Sequence, residues 1–217
     1  MSKIVIINGS PKIKVSVSKM LIDFLQRQFS QPAPVFQATQ LIEKLADRDE
    51  LSALLQSDAL LLVFPLYIDA LPAPLVKLLN SLEALIAEEQ PKKLPALYML
   101  VNCGFFEAHH NFLAKEIVEN FALACGFNWN NGLAIGCGGS LLTFATNCDS
   151  PVTQQIYKQL KELAQAIDTQ QELQETKFIQ PQMPRITYML SGNLAWRKAA
   201  KKRNTRLSLK AKPHIAS

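Results

Sequence analysis

Several things this chain has little of narrow what it can be. Its four cysteines, Cys103, Cys125, Cys137 and Cys148, are scattered and never form a Cys-x-x-Cys pair, which argues against a zinc or iron–sulfur centre and for reduced, buried thiols. No run of about eighteen apolar residues is present, and a polar loop interrupts the N-terminus where a signal peptide would keep its apolar centre. The sequence therefore predicts a soluble, cytoplasmic protein with no membrane insertion. There is no Gly-Lys-Ser/Thr ending for a nucleoside-triphosphate loop and no complete Gly-x-Gly-x-x-Gly unit; Gly136-Cys137-Gly138-Gly139-Ser140 reads as a tight turn. Internal repeats and low-complexity runs are missing too.

Acidic residues are missing from one end. Of the 23 Lys and Arg, nine fall in residues 185–217, where there is no Asp or Glu, so residues 1–184 hold 14 basic against 18 acidic residues. The net +5 belongs to the tail. Aromatic interleaving there is limited to Tyr188 and Trp196, which disfavours nucleic acid as a partner. His109 and His110 are adjacent, point apart on a helix, and suit a surface or helix start better than a metal site.

What is present is a strand–helix alternation across 217 residues that are 48% hydrophobic. Lys3–Asn8 reads as a strand buried on both faces, running through Gly9-Ser10-Pro11-Lys12 into a helix whose start carries Ser16 and Ser18. Val35–Ala38 gives a second strand and Asp49–Gln56 a brief helix. Asp58–Phe64 is a continuous apolar strand ended by Pro65; Pro72 opens a helix with Leu75, Leu78, Leu79, Leu82, Leu85 and Ile86 on its buried stripe. Ala96–Asn102 is the fourth strand, followed by a helix from about Glu107 to Cys125 that Gly126 ends, a fifth strand within Trp129–Gly136, and a helix after Pro151.

This alternation predicts an α/β flavodoxin-like three-layer sandwich around a five-stranded parallel sheet of order 2-1-3-4-5. The expected domain covers 1–170, and 171–217 is a polar linker and basic C-terminal extension, with a short surface helix at Asn193–Arg203. In such sheets ligands bind beyond the carboxyl ends of the strands, so the loops after strands one, three and four should meet. The first offers helix N–H groups, the hydroxyls of Ser10, Ser16 and Ser18, and the Lys12 cation to an anion such as phosphate. The third, Pro65–Pro72, is unusually apolar for a connection: a flat ring such as a flavin would cover Leu66, Tyr67 and Ile68, as would packing on the next helix or on a second subunit.

The segments Ile7-Asn8-Gly9-Ser10-Pro11-Lys12 with Ser16-Val17-Ser18, and Phe64-Pro65-Leu66-Tyr67 with Leu71-Pro72, resemble the flavodoxin-like NAD(P)H-dependent FMN reductase and quinone reductase group. The likeness is strongest over residues 3–25 and 58–80. It implies an FMN oxidoreductase, usually a homodimer, passing a hydride from NADPH or NADH through FMN to a quinone, flavin or other small electron acceptor. It also implies Ser10, Lys12, Ser16, Val17 and Ser18 around the FMN phosphate, Pro65, Leu66, Tyr67 and Ile68 along the isoalloxazine, and Asn102, Cys103 and Gly104 at its polar edge or ribityl chain. No catalytic side chain and no metal are implied, because the flavin carries the chemistry. Val17 departs from the group, where a polar Asn or Thr is common, although its N–H can still donate; Val15 replaces a small or polar residue. An electron carrier or a non-catalytic flavin-binding module is the other function class, which the basic extension disfavours.

Overall fold

A computed structural model describes residues 2–12, 15–43, 48–139, 141 and 150–203. Six parallel strands form one sheet: β1 (Ile4–Asn8), β2 (Val35–Gln37), β3 (Ala59–Pro65), β4 (Ala96–Asn102), β5 (Asn128–Ile135) and β6 (Lys177–Ile179), in the order β2-β1-β3-β4-β5-β6. The helices are α1 (Val17–Gln26), α2 (Ala38–Glu43), α3 (Arg48–Leu55), α4 (Ala73–Glu89), α5 (Phe112–Cys125), α6 (Gln154–Thr169) and α7 (Arg185–Lys202), with a 3-10 turn at Ala108–Asn111 before α5. The chain divides into two compact units, Met1–Gln182 with the sheet and Met183–Ser217 with α7.

The period-two geometry of a strand splits the apolar runs between two cores. On β3, Leu60, Leu62 and Phe64 face one side, where they pack with residues of α2 to α5 such as Leu41, Leu54, Leu78 and Val118. Ala59, Leu61 and Val63 face the other, against Leu21 and Leu25 of α1 and Leu160 and Leu163 of α6. A strand covered on both faces favours apolar residues, which is why β3 and β4 read as nearly unbroken apolar runs.

The expected strand order is present, and one strand more than the five expected. β6 lies in the stretch the sequence assigns to linker and pairs with β5 from Leu133↔Lys177 to Ile135↔Ile179. An irregularity in β5 brings it there. Between the pairs Leu97↔Trp129 and Met99↔Gly132 the register shifts, Asn131 adopts a positive φ of 66°, and a Cβ on Gly132 would sit 2.0 Å from the Met99 carbonyl oxygen, so only glycine fits. The displaced Asn131 side chain donates to Leu173 O at 2.9 Å and accepts from Thr176 Oγ1 at 3.2 Å. Tyr98 Oη, buried in β4, accepts from Asn130 Nδ2 at 2.8 Å and donates toward Gln171 O at 2.9 Å. Residues 171–176 are thereby tied down, and β6 comes next in the chain.

Other expectations differ only at their ends. The helix expected from Glu107 begins as the 3-10 turn and becomes α5 at Phe112, ending at Gly126 with φ 82°. The surface helix expected at Asn193–Arg203 starts eight residues earlier, at Arg185, and none of its residues is buried.

Candidate functional site

The site builds outward from the carboxyl ends of β1, β3 and β4. β1 stops at Asn8, whose Oδ1 accepts from Ser10 N at 3.0 Å and turns the chain out of the sheet. Gly9 N donates to Val63 O at 2.8 Å, the last rung between β1 and β3. A Cβ on Gly9 would lie 2.8 Å from Leu75 Cδ2 and 2.9 Å from Phe64 Cβ, so the loop's close approach to α4 requires glycine. Ser10 Oγ accepts from Lys12 N at 3.3 Å, folding the loop back on itself. Ile13 and Lys14 lie outside the described residues.

Ser16 caps α1: its backbone is extended and its Oγ accepts from Lys19 N at 3.1 Å. The N–H groups of Val17 and Ser18 fall in the first turn, where no intrahelical acceptor exists, and that turn holds no acidic residue. Ser10 and Ser16 thus use oxygen lone pairs inside the loop and keep their protons for donation. With exposed Lys12 beside them, this is a donor set for an anion.

The loop after β3 is a two-residue hairpin. Tyr67 N donates to Ala70 O at 2.9 Å and Ala70 N returns the bond to Tyr67 O at 3.1 Å, while Ile68 and Asp69 both have positive φ, 49° and 54°. That is the pattern of a type I′ turn, which normally asks for Asn-Gly. A β-branched residue there is strained by about 1–3 kcal/mol. The strain presents Ile68 almost wholly to solvent, at 99% exposure, beside Tyr67 at 40%.

Asn102, at the end of β4, fastens these pieces together. Its Nδ2 donates to Ser18 Oγ at 3.1 Å and to Phe64 O at 3.1 Å, and its carbonyl accepts from Leu66 N at 2.7 Å. Loops from three strands therefore meet at one rim, and the loop after β5 joins them, since Cys103 N donates to Ile135 O at 2.9 Å and Gly138 N to Cys103 O at 2.7 Å.

The expected site residues separate into two tiers. Ser10, Lys12, Ser16 and Val17 line the loop after β1; Pro65, Leu66, Tyr67 and Ile68 form the hairpin wall; Gly104 is exposed beyond β4. Ser10 and Ser16 are buried, as are Ser18, Asn102 and Cys103, and Asn102 bonds Ser18 beneath the rim. Cys103 Sγ lies 3.8 Å from Phe105 O and from Glu107 O; burial pushes its thiol upward, outweighing the backbone hydrogen bond from Phe105 that acts the other way, so it stays protonated. Sequence reasoning missed Asn8 as the residue that turns the loop; its one signal is its place after four apolar residues.

His109 stacks with Phe112 at a ring-centroid distance of 5.3 Å, and His110 packs in a tilted arrangement on Phe105 at 4.3 Å. Among the described residues no cluster of three His, Cys, Asp or Glu is placed to hold a metal ion, and no helix is long and apolar enough to cross a membrane. Cys148 and Ser140 lie outside the described residues. A surface depression of about 580 Å³ opens at the opposite, amino ends of the strands, lined in part by Lys3, Asp58 and Asp168. Its carboxylates are occupied structurally, Asp58 accepting from Lys3 N at 2.8 Å and Asp168 from Ser30 N at 3.0 Å.

No protein-family model matches the chain, and no curated protein matches it either. Solved structures do. A Trp repressor binding protein from Bacillus subtilis superimposes with a TM-score of 0.57 at 14% identity, covering 74% of this chain and 97% of that one. An NADPH-quinone reductase from P. pentosaceus gives 0.54 at 20% identity, over 76% and 98% of the two chains. An FMN-dependent NADH-azoreductase from Bacillus anthracis, in complex with FMN, gives 0.52 at 16% identity, over 77% and 100%. What the chain has in common with them is the flavodoxin-like fold, across the sheet-bearing three quarters of its length.

Proposed function

We propose that this chain is an FMN-dependent oxidoreductase that draws reducing equivalents from NADPH or NADH and delivers them to a quinone, a flavin or another small acceptor. One observation carries the proposal: a helix-start donor set and a bare, strained apolar hairpin are held at one rim by Asn102. A cofactor with a phosphate at one end and a flat ring at the other needs both. Two hydroxyls with protons to spare, two first-turn N–H groups and a lysine fit a phosphate. Tyr67 and Ile68 fit a ring face. Val17 takes part through its N–H, so its apolar side chain removes one side-chain contact and no backbone donor.

When bound, FMN supplies the two-electron chemistry itself. The chain's tasks are to hold the phosphate through Ser10, Ser16 and Lys12, to exclude water with Tyr67 and Ile68, and to keep the rim rigid through Asn102. The apolar hairpin disfavours added charge near it, whereas N–H donors favour it. The FMN complex and the quinone reductase among the structural neighbours support the cofactor and the acceptor class.

We also propose a homodimer, supported by the exposed apolar side chains of α4 and α5, Val76, Phe112, Leu113 and Ile117. The deciding experiment is spectroscopic. Purified protein should carry or take up FMN, bleach under NADPH or NADH without oxygen, and recover colour when a quinone is added. A yellow protein that neither nucleotide bleaches is a carrier; a colourless one that refuses FMN in titration is neither.

A further inference from the structure

The proposed site makes no use of the basic end of the chain, and α7 is built unlike the other helices. It spans 18 residues without burying one, yet carries five large apolar side chains that are each more than half exposed: Ile186, Met189, Leu190, Leu194 and Trp196. The spacing i, i+3, i+4, i+8 places the first four along one side. Arg197 and Lys201 continue that line in the last turns, Lys198 and Lys202 lie round from it, and no acidic residue occurs from 185 to the end of the sequence. Gly192 sits mid-helix with nothing within 4 Å of the Cβ it lacks, so no close packing explains it. None of the residues of α7 is buried, and a glycine in mid-helix weakens the helix further.

We propose that α7 lies along the surface of a bilayer rich in anionic lipid. Its Ile186–Leu194 side enters the boundary between headgroups and acyl chains, Trp196 sits at the interface, and the cations meet lipid phosphates. Such a surface offers hydrocarbon and negative charge together to one side of one helix. Arg197 and Lys201 fit it because their aliphatic stems can lie over the apolar layer while the charged ends reach outward. Nucleic acid would satisfy the cations but leave four aliphatic side chains in water, with Tyr188 and Trp196 alone for stacking. A second copy's sheet unit offers the tail a small acidic excess, 18 acidic against 14 basic residues over 1–184, and that excess is spread along the chain. The helix is too polar to span, so it rests on the membrane.

The test uses the full chain and two vesicle preparations, phosphatidylcholine alone and an equimolar mixture with phosphatidylglycerol. Co-sedimentation should be strong with the mixture, weak with phosphatidylcholine, and lost in high salt. Replacing Lys198, Lys201 and Lys202 by Gln should weaken partitioning on the order of a hundredfold, near fivefold per cation. Leu190→Ser with Leu194→Ser should weaken it roughly tenfold or more, and Trp196 emission should shift to the blue on the mixed vesicles, a shift that Trp196→Phe removes. Equal or absent binding to the two preparations, charge variants that bind as well as the parent, tighter competition by RNA or duplex DNA, or self-association through α7 in place of vesicle binding would each overturn the assignment. None of these readouts involves flavin, so the outcome is independent of the proposed activity.

Discussion

Asn102 spends both amide protons on acceptors far away in the sequence, Ser18 and Phe64, and so joins α1, β3 and β4 at one buried point. Asn102→Ala would leave Ser18 Oγ and Phe64 O without that donor inside the protein. Stability should fall by about 2–4 kcal/mol, read from the urea midpoint, with FMN affinity falling too as the rim loosens; an unchanged midpoint would show that the three loops hold together without it. Ser10 and Ser16, also buried, belong to the proposed phosphate site. Their double replacement by Ala should weaken FMN binding by a few kcal/mol at most, since a hydrogen bond to a charged group contributes about 1.5–3 kcal/mol and the backbone donors remain. Unaltered affinity in a fluorescence titration would place the phosphate elsewhere.

At the scale of elements, the hairpin after β3 holds energy that a change of sequence can release. Replacing Ile68 by Asn and Asp69 by Gly supplies the residues a type I′ turn prefers, and should stabilise the protein by about 1–3 kcal/mol in urea unfolding while weakening FMN binding. A variant no more stable than its parent would mean that the positive φ values cost nothing. Local sequence pattern stops being informative at this turn. β3 and β4 are legible because six-residue apolar runs between Pro and polar breaks have no other good home, and α1 is legible from its serine cap and helical spacing. The turn is not, because neither Ile nor Asp advertises a left-handed backbone. Asn102 is expected at the rim, but its role as a fastener depends on partners 84 and 38 residues away, which no local pattern encodes. β6 escapes for a related reason: three residues beginning with Lys177 make no apolar run, and the kink at Asn131 is what recruits them.

For the whole molecule, the two units predict two different truncations. Ending the chain at Gln182 removes α7 and the rest of the basic end, and should leave the sheet unit folded with a cooperative unfolding transition, since each of the six strands precedes that point. Ending it at Thr169 also removes the bonds from Asn131 to Leu173 and Thr176 and the pairing of β5 with β6, and should yield protein that unfolds earlier and aggregates. Circular dichroism melts of the two shortened chains distinguish these cases; equal stability would mean that β6 is decorative.

The outermost strands, β2 and β6, are three residues each. Such brief borders give a neighbouring molecule too few free peptide groups to extend the sheet by continuation, and they guard against stacking into fibrils. Two copies therefore have little to gain from joining their sheets edge to edge.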